Sequence, residues 1–299
     1  MKAMRIGLNL QADSPPGEFI ELVRLIDDAG FESLWLADST LTYRHVFVYL
    51  TLAAEHSRRL RIGSAVNHPH VRHPADTLAA LAAVDELSGG RAALGFGTGD
   101  HWVEHAGVRI ATVDEVREAV ELLRSLLTAN RPLSFHGQRW QLKDAELPYR
   151  LRHDLPVYVA ASNPRMLALA GELGDGALAF VGADPSVAAR ARAQVGQPRP
   201  GFDFVLACGC SLDRNEQRAR EDAAARLDFL ERSASKLVPR LREAPDPIRA
   251  YAIAGTPPQA LEQLRRLSDA GFEHVLLLPR GQLRRQTIEL LAAEVLPRL

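Results

Sequence analysis

The sequence predicts a single (β/α)8 barrel running from residue 1 to 299, and three observations carry that expectation. Short aliphatic or β-branched runs alternate with longer helical patterns from one end of the chain to the other. Eight such runs can be counted, the number that closes this barrel. The length of 299 residues, 46% of them hydrophobic, suits one barrel of ~250 residues with insertions.

The first run, Arg5–Leu10, is followed by an apolar stripe of Phe19, Leu22, Val23, Leu25 and Ile26 on a helix that Gly30 is placed to stop. Strands two and three are expected at Ser33–Ala37 and Arg61–Ala65. Pro74 then fits the first turn of a helix carrying Leu78, Leu81 and Val84. Strand four is Arg91–Gly95. Thr112 and Glu115 have the spacing of a capping box ahead of Val116, Val120, Leu123 and Leu127. The stretch Arg131–Leu155, with Gly137, Pro132 and Pro148, is too long for an ordinary connection and reads as an insertion over the barrel mouth or side. Strands five to seven follow at Val157–Ala160, Ala177–Val181 and Asp203–Ala207. A mainly helical excursion over about 213–251 precedes Gly255-Thr256-Pro257, and strand eight is His274–Leu278. These runs are nearly continuous in apolar residues, as parallel strands covered on both faces require. Asp28-Ala29-Gly30-Phe31-Glu32 before strand two recurs as Asp269-Ala270-Gly271-Phe272-Glu273 before strand eight. It reads either as two similar helix–Gly–strand turns or as a repeated βα unit.

Charge is balanced, 36 Lys+Arg against 37 Asp+Glu, so no global field recruits nucleic acid or an anionic membrane. No apolar run approaches the ~18–20 residues of a membrane span, and the first residues do not form a signal-peptide pattern. Cys208 and Cys210, one residue apart, would share a strand face and are poorly placed to bond to each other. A cytoplasmic, reduced protein is expected.

Ligands of such barrels sit where strands end and βα loops begin. Here those positions hold Asn9; Asp38-Ser39-Thr40; Val66-Asn67-His68; Gly97-Thr98-Gly99-Asp100; and Ala161-Ser162-Asn163, a concentration of small and hydrogen-bonding residues. Gly95-Phe96-Gly97-Thr98-Gly99 lacks the third glycine of a dinucleotide fingerprint. It reads as a turn needing positive φ or as a close backbone approach to a cofactor. Ser162 or Asn163 can cap the helix that Pro164 begins, and the same helix end can receive a phosphate. Asp38 can cap the next helix, exchange a proton or orient a cofactor. His68, His70 and His73 raise a metal-hydrolase reading, but no acidic or lysine ligand set accompanies them, so no metal ligands are assigned. His101 and His105 would share a helix face. No Gly-x-Ser-x-Gly elbow supports a serine hydrolase.

The motifs, taken in order, are Arg5-Ile6-Gly7-Leu8, Ala29-Gly30-Phe31 with Leu34-Trp35-Leu36-Ala37-Asp38, and Ile62-Gly63-Ser64-Ala65-Val66-Asn67 leading into Arg72-His73-Pro74. Leu87-Ser88-Gly89-Gly90-Arg91 with Leu94-Gly95-Phe96-Gly97 follows. Then come Pro156-Val157-Tyr158-Val159-Ala160-Ala161, Ala170-Gly171-Glu172-Leu173-Gly174-Asp175-Gly176 and Ala254-Gly255-Thr256-Pro257. Together they resemble the luciferase-like monooxygenase superfamily over nearly the whole chain. Within it the chain is similar to the coenzyme F420-dependent oxidoreductases of the methylenetetrahydromethanopterin reductase type.

That resemblance implies a deazaflavin, coenzyme F420, with its ring near strands two to four and its phosphate near the loop after strand five. It implies Asp38 as the catalytic polar group beside the ring. Asp38, Ser39, Ala65, Val66, Asn67, Gly97, Thr98, Gly99, Ala161, Ser162 and Asn163 are the implied cofactor contacts. Ala65-Val66 falls where relatives often carry a non-proline cis peptide. Many deazaflavin relatives have histidine after the acidic residue of strand two, and this chain departs from them with Ser39. The expected activity is hydride transfer between the deazaflavin and a small organic substrate in a homodimer. The alternatives are an FMN-dependent monooxygenase, a metal-dependent barrel hydrolase and a cofactor-free interaction protein.

Overall fold

Apolar periodicity sets the strands, in chain order β1 (Arg5–Gln11), β2 (Ser33–Ala37), β3 (Arg61–Ser64), β4 (Ala92–Phe96), β5 (Leu133–His136), β6 (Gln141–Ala145), β7 (Val157–Ala161), β8 (Gly176–Phe180), β9 (Asp203–Leu212), β10 (Ala252–Gly255) and β11 (His274–Pro279). The helices are α1 (Pro16–Ala29), α2 (Val46–His56), α3 (Pro74–Ser88), α4 (Val113–Thr128), α5 (Pro164–Leu173), α6 (Pro185–Ala193), α7 (Glu216–Arg232), α8 (Pro247–Tyr251), α9 (Pro257–Asp269) and α10 (Arg284–Leu290). This computed structural model describes residues 4–39, 41–99, 101–147, 149, 151–232 and 241–299, without the side chains of 101, 102, 105 and 232. Thr40, Asp100 and the side chains of His101 and His105, named above from the sequence, lie outside the described residues. So do parts of the expected insertion and excursion.

The strands β9, β11, β1, β2, β3, β4, β7 and β8 hydrogen-bond in that order, and β8 pairs back onto β9, closing a parallel ring. All eight runs read from the sequence lie in this ring, with ends shifted by a residue or two. One end is further off: β9 continues to Leu212 rather than stopping at Ala207. Its far half pairs with β10 at Ala252↔Gly209 through Gly255↔Leu212, a strand absent from the sequence reading. Four residues are too few to show a period, and β10 finds its partner only because β9 outruns β8. Over residues 213–251, α7 and α8 are helical among the described residues. Among the described residues no helix is long and apolar enough to cross a membrane.

Local signals placed the helix ends well. Gly30 follows α1 in the left-handed conformation at φ 86°, and Thr112 and Glu115 make the expected capping box. The two repeated pentapeptides adopt the same turn, with Gly271 at φ 82° and Phe31 and Phe272 both buried. Within residues 131–155, β5 and β6 form an antiparallel hairpin. Glu118 of α4 accepts hydrogen bonds from the backbone N–H groups of Gln138, Arg139 and Trp140 at 2.8–3.0 Å. Cys208 and Cys210 lie buried and unbonded on β9, and burial pushes the Cys208 thiol up to about 12.

Inside the ring, Trp35, Ala93, Tyr158, Leu178, Val205 and Leu276 form a closed apolar plug. The Trp35 and Tyr158 rings meet edge-on at 5.1 Å. Below it, at the N-terminal ends of the strands, Asp203 accepts from Arg5 Nη2 at 2.7 Å and from the Tyr158 hydroxyl at 3.0 Å. His274 Nδ1 lies 2.9 Å from the same carboxylate, and Arg61 donates to the Tyr158 hydroxyl at 2.8 Å. This floor turns the residues available for ligands toward the opposite, C-terminal mouth.

Candidate active site

The mouth is built where β2, β3 and β4 end side by side. Asp38 leaves β2 with its side chain only 6% exposed. Arg72, from the loop between β3 and α3, grips it with both guanidinium nitrogens, Nη1 to Oδ2 and Nη2 to Oδ1, the latter at 3.1 Å. Asn67 Nδ2 donates to Asp38 Oδ2 at 2.7 Å. The guanidinium of Arg72 also lies over Phe47 of α2, 5.6 Å from the ring centre. A bidentate pair held on both sides is a fixed element of the site. The capping possibility for Asp38 is corrected: the chain first turns on the Ser39 carbonyl, which accepts from Thr42 and Tyr43, and α2 begins only after His45.

Strand β3 lies between β2 and β4, and the residues after it donate to both. Ala65 N–H donates to Leu36 of β2 at 2.7 Å, the Ala65–Val66 peptide is cis, and Asn67 N–H then donates to Gly95 of β4 at 2.8 Å. The cis bond falls at the position the family resemblance implied. Gly95 and Gly97 do not have positive φ; only Gly99 does, at 74°. The turn reading therefore holds for Gly99 alone. Gly97 is needed for closeness instead, since a Cβ there would lie 3.0 Å from Val66 Cγ2 and 3.1 Å from Ala160 Cβ.

Three buried polar atoms at these strand ends have no hydrogen-bond partner among the described residues: Ser39 Oγ, Asn67 Oδ1 and His68 Nε2. Buried polar groups are nearly always paired, so such a cluster marks a ligand position. His68 Nδ1 accepts from the His70 N–H at 3.1 Å, which assigns the hydrogen of the neutral ring to Nε2. Burial, reinforced by neighbouring His70, pushes the His68 pKa down to about 4, so the ring is neutral near pH 7.

His70 and His73 are engaged by neighbouring loop and helix groups, although His70 Nε2 also lacks a hydrogen-bond partner among the described residues. His70 lies 3.2 Å from Glu115 and 3.2 Å from the Arg109 carbonyl oxygen. The hydrogen bonds from Arg109 hold the Glu115 carboxyl down to about 2. His73 caps α3 by accepting from Ala75 N–H at 3.1 Å. Among the described residues, no group of three His, Cys, Asp or Glu side chains could hold a metal ion.

The loop after β7 reaches the same end of the barrel. Asn163 is the cap of α5, its Oδ1 accepting from Met166 N–H at 3.1 Å, and Pro164 occupies the first turn. Ala161 is buried, whereas Ser162 and Asn163 are exposed. The expected contacts Asp38, Ser39, Ala65, Val66, Asn67, Gly97, Thr98 and Gly99 thus meet on adjacent strand ends, with Ala161, Ser162 and Asn163 one strand further round. The motif Arg72-His73-Pro74 does not by itself show that Arg72 pairs with Asp38. Arg280, after β11, was not singled out, yet its Nη2 donates to Asn9 Oδ1. The available signal was an arginine in a βα loop of a barrel whose strand ends are otherwise short and polar.

A family model described as luciferase-like monooxygenase matches residues 3–274. The chain belongs to this family. It is 30% identical to the 5,10-methylenetetrahydromethanopterin reductase of Archaeoglobus fulgidus over 99% of this chain and 100% of the relative. It is 27% identical to an F420-dependent glucose-6-phosphate dehydrogenase of Amycolatopsis mediterranei, over 99% of this chain and 98% of the relative. Among solved structures, the coenzyme F420-dependent tetrahydromethanopterin reductase of Methanopyrus kandleri superposes with a TM-score of 0.83 at 25% identity, covering 99% of each chain. The family and barrel expected from the ordered motifs are both borne out.

Proposed function

We propose that this luciferase-like protein is a coenzyme F420-dependent oxidoreductase that transfers a hydride between the deazaflavin and a small organic substrate. The observation that carries the reading is the group of polar atoms on Ser39, Asn67 and His68, without hydrogen-bond partners among the described residues, beside the Asp38–Arg72 pair. Its hydroxyl, amide oxygen and ring N–H suit the polar edge of a flat conjugated ring, while Val66 and Gly97 offer an apolar wall. The similarity to F420-dependent relatives supports the same cofactor. When bound, the deazaflavin supplies the two-electron chemistry.

The protein's part is positioning. Asp38 engages Arg72 and Asn67 through both oxygens, which favours an orienting role for it over free proton exchange. Asn67 is thereby held by its Nδ2, and neutral His68 carries its ring hydrogen on Nε2. The family resemblance further carries a homodimer in the cytoplasm, and size-exclusion chromatography with light scattering tests the dimer.

Parallel titrations test the cofactor. F420 is expected to bind more tightly than FMN, followed by quenching of its fluorescence. Comparable or tighter FMN binding with FMN-supported oxygen consumption would replace this reading by a monooxygenase.

The loop after β7 is proposed to receive the cofactor phosphate at the start of α5. Ser162→Asp keeps an acceptor at this helix end but adds a negative charge. It is expected to melt near the wild-type temperature while losing about 1–3 kcal/mol of cofactor affinity. Asn163→Ala, which removes the observed cap, should cost about 0.5–2 kcal/mol of stability. Unchanged F420 affinity in folded Ser162→Asp would move the phosphate elsewhere.

A further inference from the structure

Two strands round the ring from Asp38, a cleft of about 480 Å³ opens between α7 and the loop leaving β11. Its lining carries five charged residues, Arg218, Glu221, Asp222, Arg226 and Arg280. Three of these have clear local duties. Asp222 accepts from the backbone N–H of Gln282 at 2.9 Å and from Ser211 Oγ at 2.8 Å, so this acid pins the loop to α7. Glu221 accepts from Gln217 at 2.8 Å, and Arg218 pairs with Asp213 at 3.4 Å.

Arg226 differs. Its guanidinium lies 4.4 Å over the Phe229 ring, and its buried Nε has no hydrogen-bond partner among the described residues. Arg280 is held through Nη2 on Asn9, whose Nδ2 reaches the Ala65 carbonyl oxygen at 3.5 Å. The same arginine therefore ties the cleft to the cis-peptide edge of the mouth. Arg226 hydrogen-bonds to the Tyr251 hydroxyl and Arg280 lies close enough to act on it electrostatically, so the two guanidinium groups converge on one region.

We propose that this cleft receives an anionic end of the substrate, a carboxylate or a phosphate, with Arg226 as its main contact and Arg280 beside it. A planar guanidinium matches two oxygens of either group, and stacking on an aromatic ring holds it flat for that purpose. Naming the anion as part of the substrate rests on the hydride-transfer reading of the mouth; the cleft's affinity for an oxyanion does not.

The full-length protein is titrated calorimetrically with inorganic phosphate and, in a second arm, with acetate, at constant ionic strength. Saturable binding is expected in one arm or both, and which one responds distinguishes a phosphorylated from a carboxylated substrate. Arg226→Gln is expected to weaken it about tenfold, with circular dichroism and F420 affinity unchanged. Arg226→Lys, which keeps the charge but loses the fork, should fall between. No saturable binding by the wild type, equal binding by Arg226→Gln, or loss in Ser162→Asp instead would overturn the proposal. Phosphate binding that depends on Arg226 in a protein that does not bind F420 would remove the cofactor reading and leave the cleft standing. F420 binding without oxyanion binding would do the reverse.

Discussion

Asp38→Asn is expected to lower F420-supported turnover by about tenfold or more, because it removes the carboxylate that fixes Arg72 and Asn67 and, where Asp38 also moves a proton, a contribution of ~10²–10⁴. The substitution preserves shape, so the loss comes from chemistry and positioning. Arg72 would keep its charge with its side chain only 13% exposed and without the carboxylate that now faces it. Asn67 would lose the acceptor that fixes its amide. Arg72→Lys separates the two possible roles. Lysine keeps the positive charge but cannot make the two-pronged contact. If Asp38 orients the cofactor face, Arg72→Lys should also lose turnover and raise the F420 dissociation constant. If Asp38 carries a proton, that variant should leave cofactor affinity near wild type, with the loss in Asp38→Asn confined to kcat. Wild-type kinetics and F420 affinity in both variants would remove Asp38 and Arg72 from the site.

The largest stability effect is expected at the barrel floor. Asp203 is the shared acceptor of Arg5, Tyr158 and His274. Asp203→Asn would leave cationic and donor groups facing a neutral amide in a largely closed environment. Breaking such a pair from one side costs about 3–5 kcal/mol when fully buried. Arg5 is one-third exposed, so about 3 kcal/mol is expected here, a fall in Tm of roughly 5 °C for a chain of this size.

The pH dependence has a definite sign. Burial raises the Asp203 pKa, but the hydrogen bond and charge of His274, followed by those of Arg5, outweigh it and hold the carboxyl well below its ordinary value of 3.8. A depressed native pKa contributes stability that is present above the unfolded pKa and is lost as pH falls through the native one. The gap between wild type and Asp203→Asn should therefore be full at pH 7 and shrink below about pH 4. A gap that stays constant from pH 7 to pH 3 would show that Asp203 stabilises by packing alone.

How far the sequence speaks depends on the range of the forces involved. Helix ends are local: Gly30, Thr112 with Glu115, Pro74 and Pro164 act within a turn, and each was legible. Barrel strands were legible because burial on both faces demands continuous apolar runs, and their alternation with helices admits few closed topologies. Parallel closure also brings every strand end to one mouth, so Asp38, Asn67, Gly97 and Ser162 could be grouped before any distance was known.

What required the tertiary structure was pairing across the chain. Arg72 and Asp38 are 34 residues apart, and Arg280 and Asn9 are 271 apart. No periodicity records which charge meets which. The strand β10 escaped for the same reason: its four residues have a partner only because β9 runs past the end of β8. By itself the sequence determined the barrel, its helix caps and the end at which chemistry collects, since these follow from local conformation and burial. Only the folded chain decided that Asp38 is clamped, that Ser39, Asn67 and His68 have polar atoms without partners among the described residues, and that Arg226 lines a cleft, because hydrogen-bond satisfaction is a property of neighbours in space.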